Sequence, residues 1–273
     1  MRIAVLQMTA GIDPARNARV LEDAVTAAAA GGAAMLFTPE MSGLIDRDRS
    51  RASASITTED QDCVLNAVQE AVARTGIWVH LGSLAVRGED GKLANRGFVI
   101  DGSGAIRARY DKLHLFDVDL PSGESWRESA AYAAGTTAAV VDTPAGKLGL
   151  SICYDLRFPD LYRALSDAGA TLLAVPAAFT RPTGAAHWEV LLRARAIEAG
   201  AYVIAAAQTG EHEDGRSTHG HSLVVDPWGE VVLDMGETPG LAFADIDPAR
   251  VADVRARIPA LGHRRAVPPV QAL

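Results

Sequence analysis

Short apolar runs alternate with amphipathic segments along this chain, and that alternation restricts the fold more than any other feature. Apolar runs of strand length occur at residues 3–7, 34–37, 77–85, 171–175, 202–207 and 241–246. Apolar residues with helical spacing occur at residues 16–30, 61–74, 159–168 and 187–199, and a short helix is expected after Asp247-Pro248. Strands and helices in this order predict an α/β fold.

Turn sequences join further strands into hairpins. The predicted pairs are residues 97–101 with 105–110, 138–142 with 147–152, and 219–226 with 230–234. Hairpins mixed with helical crossovers indicate two sheets whose outer faces are covered by helices. The chain has no linker-like stretch and no internal repeat. We therefore predict one domain over residues 1–265, followed by an extended tail over residues 266–273.

Charge, cysteine content and hydropathy exclude several classes of protein. The net charge is −8 and the pI is about 5.4, which argues against a nucleic-acid partner. Two cysteines are too few for a secreted disulfide scaffold. No apolar run is long enough for a membrane span, and the N-terminal run is too short for a signal peptide. We therefore expect a cytoplasmic protein with no membrane partner.

The two cysteines lie in different settings. Cys63 lies within a helical pattern, and we expect it to be a small buried side chain. Cys153 instead lies where a predicted strand ends. Glu40 and Lys112 also follow predicted strands closely, and active sites of α/β folds collect at the carboxyl ends of strands. These three side chains are therefore expected to meet, although Glu40 or Lys112 alone would more often be a solvated loop residue.

A thiol, a carboxylate and an ammonium are the groups that amide hydrolysis requires. A thiol attacks the amide carbonyl, and Glu40 can take its proton and later pass it to the departing amine. Lys112 can stabilise the oxyanion, and its charge is also expected to favour the Cys153 thiolate. The backbone N–H of Tyr154 is a candidate second oxyanion donor.

The sequences around these residues resemble the nitrilase superfamily of carbon–nitrogen hydrolases, in its Nit branch. The matching strings are FTPE at residues 37–40, YDKLHLFD at 110–117, ICYDLRFP at 152–159, TGAAHWE at 183–189, LRARAIE at 192–198 and GHSLVVDPWG at 220–229. The resemblance extends from residue 1 to about residue 265. Residues 266–273 depart from the usual Nit ending.

The resemblance implies a four-layer αββα sandwich and a cysteine-dependent amidase that uses no metal or organic cofactor. It implies that Glu40 is the general base, Lys112 the oxyanion lysine and Cys153 the nucleophile. Glu128, in the long aperiodic segment 116–135, matches a second glutamate that positions the lysine and the substrate. It also implies a homodimer, formed through helices after the cysteine and near residues 193–199.

Two small amide substrates are compatible with this branch. One is deaminated glutathione, from which a 2-oxoglutaramyl group is removed, and the other is 2-oxoglutaramate, the substrate of ω-amidase. The strings AAAQ at residues 205–208 and VDPW at 225–228 favour the former. Arg157 and Arg181 are candidates to bind substrate carboxylates, although either could form a surface salt bridge instead. His114 could act as a base, but a role in orienting its neighbours is more typical.

Two other classes of function are considered. The first is an inactive scaffold with the same fold, which the presence of all three reactive side chains disfavours. The second is a metal site at His212, His219 and His221, since His219-Gly220-His221 could chelate a metal. The same string belongs to the Nit-like pattern, where it is structural, so no metal is expected.

Overall fold

Two six-stranded sheets form the centre of the computed structural model, which describes residues 1–88, 91–119, 123 and 125–272. The first sheet has the strand order β16-β1-β2-β3-β4-β5, in which β1, β2 and β3 are parallel. Its strands are β1 (Arg2–Gln7), β2 (Met35–Phe37), β3 (Trp78–Arg87), β4 (Leu93–Ile100), β5 (Ile106–Asp111) and β16 (Gly240–Asp245).

The second sheet repeats this plan with the strand order β15-β14-β11-β10-β9-β8, and β9, β10 and β11 are parallel. Its strands are β8 (Val140–Thr143), β9 (Gly146–Leu150), β10 (Leu172–Ala174), β11 (Tyr202–Ala205), β14 (Leu223–Val225) and β15 (Val231–Asp234). Two small hairpins lie apart from the sheets: β6 (Asp117–Asp119) with β7 (Ser125–Arg127), and β12 (Thr209–Glu211) with β13 (Ser217–His219).

Helices cover the outer faces of both sheets. They are α1 (Pro14–Ala30), α2 (Arg49–Ser55), α3 (Cys63–Thr75), α4 (Pro159–Asp167), α5 (Arg181–Ala199) and α6 (Pro248–Arg257), and three 3-10 helices span Glu59–Gln61, Glu128–Ala130 and Cys153–Arg157. Helices α1 and α3 pack on each other over the first sheet, whereas α4 and α5 pack over the second. None of the helices in the described part of the chain is both long and apolar enough to cross a membrane.

Side chains of β1 alternate between two hydrophobic clusters, because successive residues of a strand point to opposite faces. Ile3 and Val5 join the cluster that contains the second sheet, while Ala4 and Leu6 join the cluster under α1 and α3. The first sheet is therefore covered on both faces. The fold is the predicted four-layer αββα sandwich.

The structure corrects several boundaries that the sequence predicts. Cys63 is exposed rather than buried, because it is the first residue of α3 and precedes the buried stripe of that helix. Helix α5 begins at Arg181 and not at residue 187, since Pro182 is compatible with the first turn of a helix. The aperiodic segment 116–135 contains the β6–β7 hairpin and a 3-10 helix, and residues 120–122 and 124 lie outside the described residues.

The predicted C-terminal tail has no helix or strand over residues 266–272, which are exposed, and Leu273 lies outside the described residues. The division at residue 265 stays a prediction.

Candidate active site

Three loops bring Glu40, Lys112 and Cys153 to one cavity of about 700 Å³. Glu40 follows β2 and Lys112 follows β5, two strands of the first sheet that run in the same direction, while Cys153 follows β9 of the second sheet. All three side chains are buried, yet all three line the cavity. The site therefore lies where the two sheets present their strand ends to each other.

Lys112 lies between two carboxylates. Its Nζ donates to Glu40 Oε1 at 2.9 Å and to Glu128 Oε2 at 2.9 Å. Burial lowers the pKa of Lys112, but the negative charges of Glu128 and Glu40 outweigh burial and hold the pKa well above its ordinary value. Lys112 therefore carries a positive charge that is fixed in position.

Glu40 receives several hydrogen bonds besides that of Lys112. Asn95 Nδ2 donates to Oε1 at 2.9 Å, and the Ala178 N–H donates to Oε2 at 2.9 Å. Burial raises the pKa of Glu40, but the charge of Lys112 and the hydrogen bonds from Cys153, Lys112 and Asn95 outweigh it and leave the pKa below its ordinary value. Glu40 is therefore ionised at neutral pH.

Cys153 adopts a left-handed backbone conformation, with φ at +51°. Its N–H donates to Pro176 O at 2.9 Å, and its thiol donates a hydrogen bond to Glu40. Burial and the negative charge of Glu40 raise the pKa of the thiol well above its ordinary value, although Lys112 opposes this shift. The charge of Lys112 thus favours the thiolate, as expected, but burial and Glu40 outweigh it, so the resting pair is a thiol and a carboxylate.

The turn that carries Cys153 is held by Asp155, which is completely buried. Asp155 Oδ2 accepts hydrogen bonds from the Tyr110 hydroxyl at 2.7 Å and from the Ile152 N–H at 2.9 Å. Asp155 Oδ1 accepts from the His114 N–H at 3.0 Å and lies 2.7 Å from His114 Nδ1. One carboxylate thus ties the cysteine turn to the strand that leads to Lys112.

The other sequence-predicted residues divide into two groups. Tyr154 and Arg157 line the cavity, and the Arg157 guanidinium lies 5.8 Å from the Tyr154 ring centroid and 5.5 Å from that of Phe179. Tyr154 is the second residue of its 3-10 helix, where a backbone N–H has no partner within the helix. His114 and Arg181 do not line the cavity.

His114 and Arg181 have structural partners instead. The His114 ring stacks on Phe158 with centroids 3.6 Å apart. Arg181 lies 3.7 Å from Glu237 and 3.9 Å from Glu211, so it occupies the surface salt bridges considered as its alternative role.

Asn95, Asp155 and Ala178 were not predicted as site residues. Asn95 Nδ2 bridges the two glutamates, at 2.9 Å from Glu40 and 3.1 Å from Glu128. A polar amide within the apolar strand β4 is the one sequence signal that points to it, because buried strands rarely contain unpaired asparagine.

The three histidines considered as a metal site have different contacts. His212 lies 2.8 Å from both Ala10 O and Thr218 Oγ1 through its two ring nitrogens, whereas His219 and His221 stack on each other. Over the residues that the structure describes, no group of three or more His, Cys, Asp or Glu side chains is arranged to hold a metal ion.

This fold, with a buried cysteine beside a carboxylate and an ammonium, is that of a cysteine-dependent hydrolase. A family model described as carbon-nitrogen hydrolase matches residues 2–256, and the chain belongs to this family. The resemblance to the nitrilase superfamily, its αββα fold and the assignment as an amidase are therefore confirmed.

Individual proteins and solved structures are similar to nearly the whole chain. Deaminated glutathione amidase of Synechocystis sp. (strain PCC 6803 / GT-S) is 43% identical over 268 residues, which cover 96% of this chain and 97% of that protein. The crystal structure of the Caenorhabditis elegans NitFhit protein has a TM-score of 0.89 and 41% identity, covering 97% of this chain and 65% of that one. An amidase from Nesterenkonia sp. AN1 has a TM-score of 0.78 and 30% identity, covering 94% of this chain and 98% of that one.

Proposed function

We propose that this amidase hydrolyses the 2-oxoglutaramyl amide bond of deaminated glutathione through a thioester on Cys153. The observation that carries this proposal is the buried cluster in which Glu40 contacts both the Cys153 thiol and the Lys112 ammonium. In the Nesterenkonia amidase, a structure of a glutamate-to-glutamine variant shows acrylamide added at the active-site cysteine. Chemistry at the corresponding thiol of that relative supports the role of Cys153.

The first half of the reaction forms the thioester. Cys153 Sγ attacks the amide carbon while its proton passes to Glu40, so no thiolate needs to accumulate beforehand. The carbonyl oxygen becomes an oxyanion, which Lys112 Nζ and the Tyr154 N–H stabilise. Glu40 then protonates the amide nitrogen, the C–N bond breaks and the amine leaves. Glu128 and Asn95 keep Lys112 and Glu40 in place during this step.

The second half releases the acid. Water attacks the thioester carbon as Glu40 takes one of its protons, and the same oxyanion donors act again. The C–S bond breaks, Cys153 Sγ regains a proton from Glu40, and the carboxylic acid departs. The cycle returns the thiol–carboxylate pair of the resting enzyme.

The substrate assignment has two supports. The Synechocystis relative is named deaminated glutathione amidase and matches over nearly its full length. Arg157 also lines the cavity beside Cys153 without an acidic partner among the described residues, as a group that binds the 2-oxo acid carboxylate should. Arg181, which is engaged by Glu211 and Glu237, is the poorer candidate.

The test is a comparison of kcat/KM for deaminated glutathione and 2-oxoglutaramate. We expect the former to be the better substrate, and Cys153→Ala to lower kcat on both by a factor on the order of 10⁴ or more. A preference for 2-oxoglutaramate would instead assign an ω-amidase. If neither the parent protein nor the Cys153→Ala variant hydrolysed any amide of a broad panel, the chain would be an inactive scaffold with this fold.

We also propose a homodimer formed through α4 and α5. Val190 and Ile197 on α5 are 63% and 56% exposed, and Trp228 is 46% exposed. The turn that carries Trp228 packs on α5, because Arg193 Nε donates to Gly229 O at 2.8 Å and a Cβ at Gly229 would lie 2.7 Å from Ile197 Cδ1. Large apolar side chains exposed side by side are typical of protein interfaces.

Light scattering coupled to size-exclusion chromatography tests the dimer. Ile197→Glu should shift the mass towards the monomer, whereas Val20→Glu, at an exposed position of α1, should not. A parent protein that is monomeric at micromolar concentration would overturn this proposal. The cytoplasmic location and the absence of a nucleic-acid partner stay predictions.

A further inference from the structure

The cavity extends from the catalytic cluster to a second wall that the proposed chemistry does not use. We call Trp126, Arg216 and Ser217 the indole wall. Trp126 lies in β7, Ser217 is the first residue of β13 and Arg216 directly precedes it, so two hairpins outside the main sheets form the wall. All three residues line the cavity.

Two polar atoms of the indole wall lack partners. Trp126 Nε1 and Ser217 Oγ are both closed off from solvent, and neither has a hydrogen-bond partner within the described part of the chain. A buried polar group without a partner costs about 1–3 kcal/mol. Because both residues line the cavity, a molecule bound against this wall is the available source of the missing partners.

Arg216 adds a positive charge to these groups. Its guanidinium lies 5.2 Å from the Trp126 ring centroid, and its Nε donates to Asp214 Oδ2 at 2.8 Å. No acceptor among the described residues engages its two terminal nitrogens. A guanidinium that is oriented by stacking and by one carboxylate, with its terminal N–H groups available, suits a second carboxylate.

A row of aromatic rings connects the indole wall with Arg157. The ring of Phe116 lies 6.1 Å from Trp126 and 5.1 Å from Tyr154, and Arg157 lies over Tyr154. The cavity thus presents one guanidinium at each end of a three-ring row. This arrangement fits a substrate with a carboxylate at each end and an amide bond between them.

The positions of Cys153 and Arg157 indicate which end of the cavity holds the amine part of the substrate. The acyl part stays bonded to Cys153, whose own 3-10 helix carries Arg157. With Arg157 bound to the carboxylate of the acyl part, the departing amine points towards the other end of the ring row, where Trp126 lies. The indole wall is therefore on the amine side of the amide.

We propose that the indole wall is a specificity subsite for the amine part of the substrate, and that it selects a peptide-like amine ending in a carboxylate. Arg216 binds the terminal carboxylate, while Trp126 Nε1 and Ser217 Oγ bind the peptide group. This inference rests on the proposed amidase function and deepens it. It predicts that the site prefers an amide of cysteinylglycine over 2-oxoglutaramate, whose amine part is ammonia alone.

The experiment compares kcat/KM on the two substrates in Trp126→Phe, Ser217→Ala and Arg216→Gln. On deaminated glutathione we expect losses of about 3- to 10-fold for the first two and about 10- to 100-fold for Arg216→Gln. On 2-oxoglutaramate each variant should stay within about twofold of the parent. Deaminated glutathione with its terminal carboxylate converted to an amide is a matched control, since it should be hydrolysed equally well by the parent and by Arg216→Gln.

Equal losses on both substrates would overturn the proposal, because the wall would then serve the acyl part or the fold. Binding of serylglycine, an analogue of the released dipeptide, separates this proposal from the amidase function. Calorimetry should show that the parent protein binds it more tightly than Arg216→Gln does, even if neither oxoglutaramyl compound is hydrolysed. Identical binding by the two proteins would also overturn the proposal.

Discussion

The two ends of the cavity differ in how their polar groups are satisfied. At the catalytic end, Glu40, Lys112, Glu128 and Asn95 bind one another, and only Asn95 Oδ1 lacks a partner among the described residues. At the indole wall, Trp126 Nε1 and Ser217 Oγ have none. A network whose charged groups are all paired without substrate is prepared for chemistry, because its charges need not reorganise. The polar groups of the indole wall, in contrast, would form their hydrogen bonds with the bound substrate.

Replacing Glu40 should give the largest effect among the tests of this comparison. Glu40→Gln keeps the shape of the side chain but cannot take the thiol proton, so kcat should fall by about 10²- to 10⁴-fold on every amide. Steady-state kinetics on both oxoglutaramyl compounds measures it. Glu59→Gln is a matched control, because Glu59 binds Arg96 and Arg109 away from the cavity. A Glu40→Gln enzyme with more than about a tenth of the parent activity would contradict the role of this residue as base.

The pH profile tests the charge state of the catalytic end. The pKa of Glu40 lies below its ordinary value of 4.5, and the pKa of Cys153 lies well above its ordinary value of 9.0. The active pair needs Glu40 deprotonated and the thiol protonated, so activity is lost as the pH falls through the Glu40 pKa or rises through that of Cys153. We expect kcat/KM to be flat between about pH 5 and about pH 9. An acid limb centred between about pH 6 and about pH 7 would point to a histidine instead.

Residues at strand ends were the part of the site that sequence could predict. Glu40, Lys112 and Cys153 each closely follow a predicted strand, and parallel strands bring their carboxyl ends to one edge. Glu128 was assigned from the family resemblance, and the structure places its carboxylate 2.9 Å from Lys112 Nζ. The sequence could not give the protonation state, because the pKa of the Cys153 thiol depends on burial and on its distance from Glu40.

The indole wall was beyond prediction from the pattern of the sequence. Trp126 lies in a segment without periodicity, and the hairpin that carries Ser217 has strands of only three residues. Helix α2 was also missed, because its sequence RSRASAS has no apolar stripe. Such elements gain their structure from tertiary contacts, which a local pattern does not encode.

Replacing His114 should have a moderate effect on the catalytic end. His114→Ala removes the ring contact with Asp155 and the stacking on Phe158, but Asp155 keeps its bonds from Tyr110 and Ile152. The Cys153 turn should loosen slightly, and kcat should fall by about tenfold, which is less than for Glu40→Gln. Parallel kinetic measurements on the two variants decide the order. If His114→Ala were the more damaged enzyme, the base would be misassigned.

The smallest expected effect is on the free energy of unfolding. It distinguishes a buried hydroxyl without a hydrogen-bond partner from one that has partners. Ser217→Ala removes a buried hydroxyl that has no partner in the described part of the chain, so the free energy of unfolding should stay unchanged or rise by about 1 kcal/mol. Ser222→Ala is the matched control, because Ser222 Oγ donates to Gln7 Oε1 at 2.8 Å and accepts from the Ala207 N–H at 2.9 Å. Its loss leaves the buried Ala207 N–H without its partner, while Gln7 Oε1 keeps the Ser222 N–H, and should cost about 1–3 kcal/mol. Denaturant unfolding measures both variants; if Ser217→Ala destabilised as much as Ser222→Ala, the Ser217 hydroxyl would already be satisfied within the free protein, and it could not be reserved for a substrate.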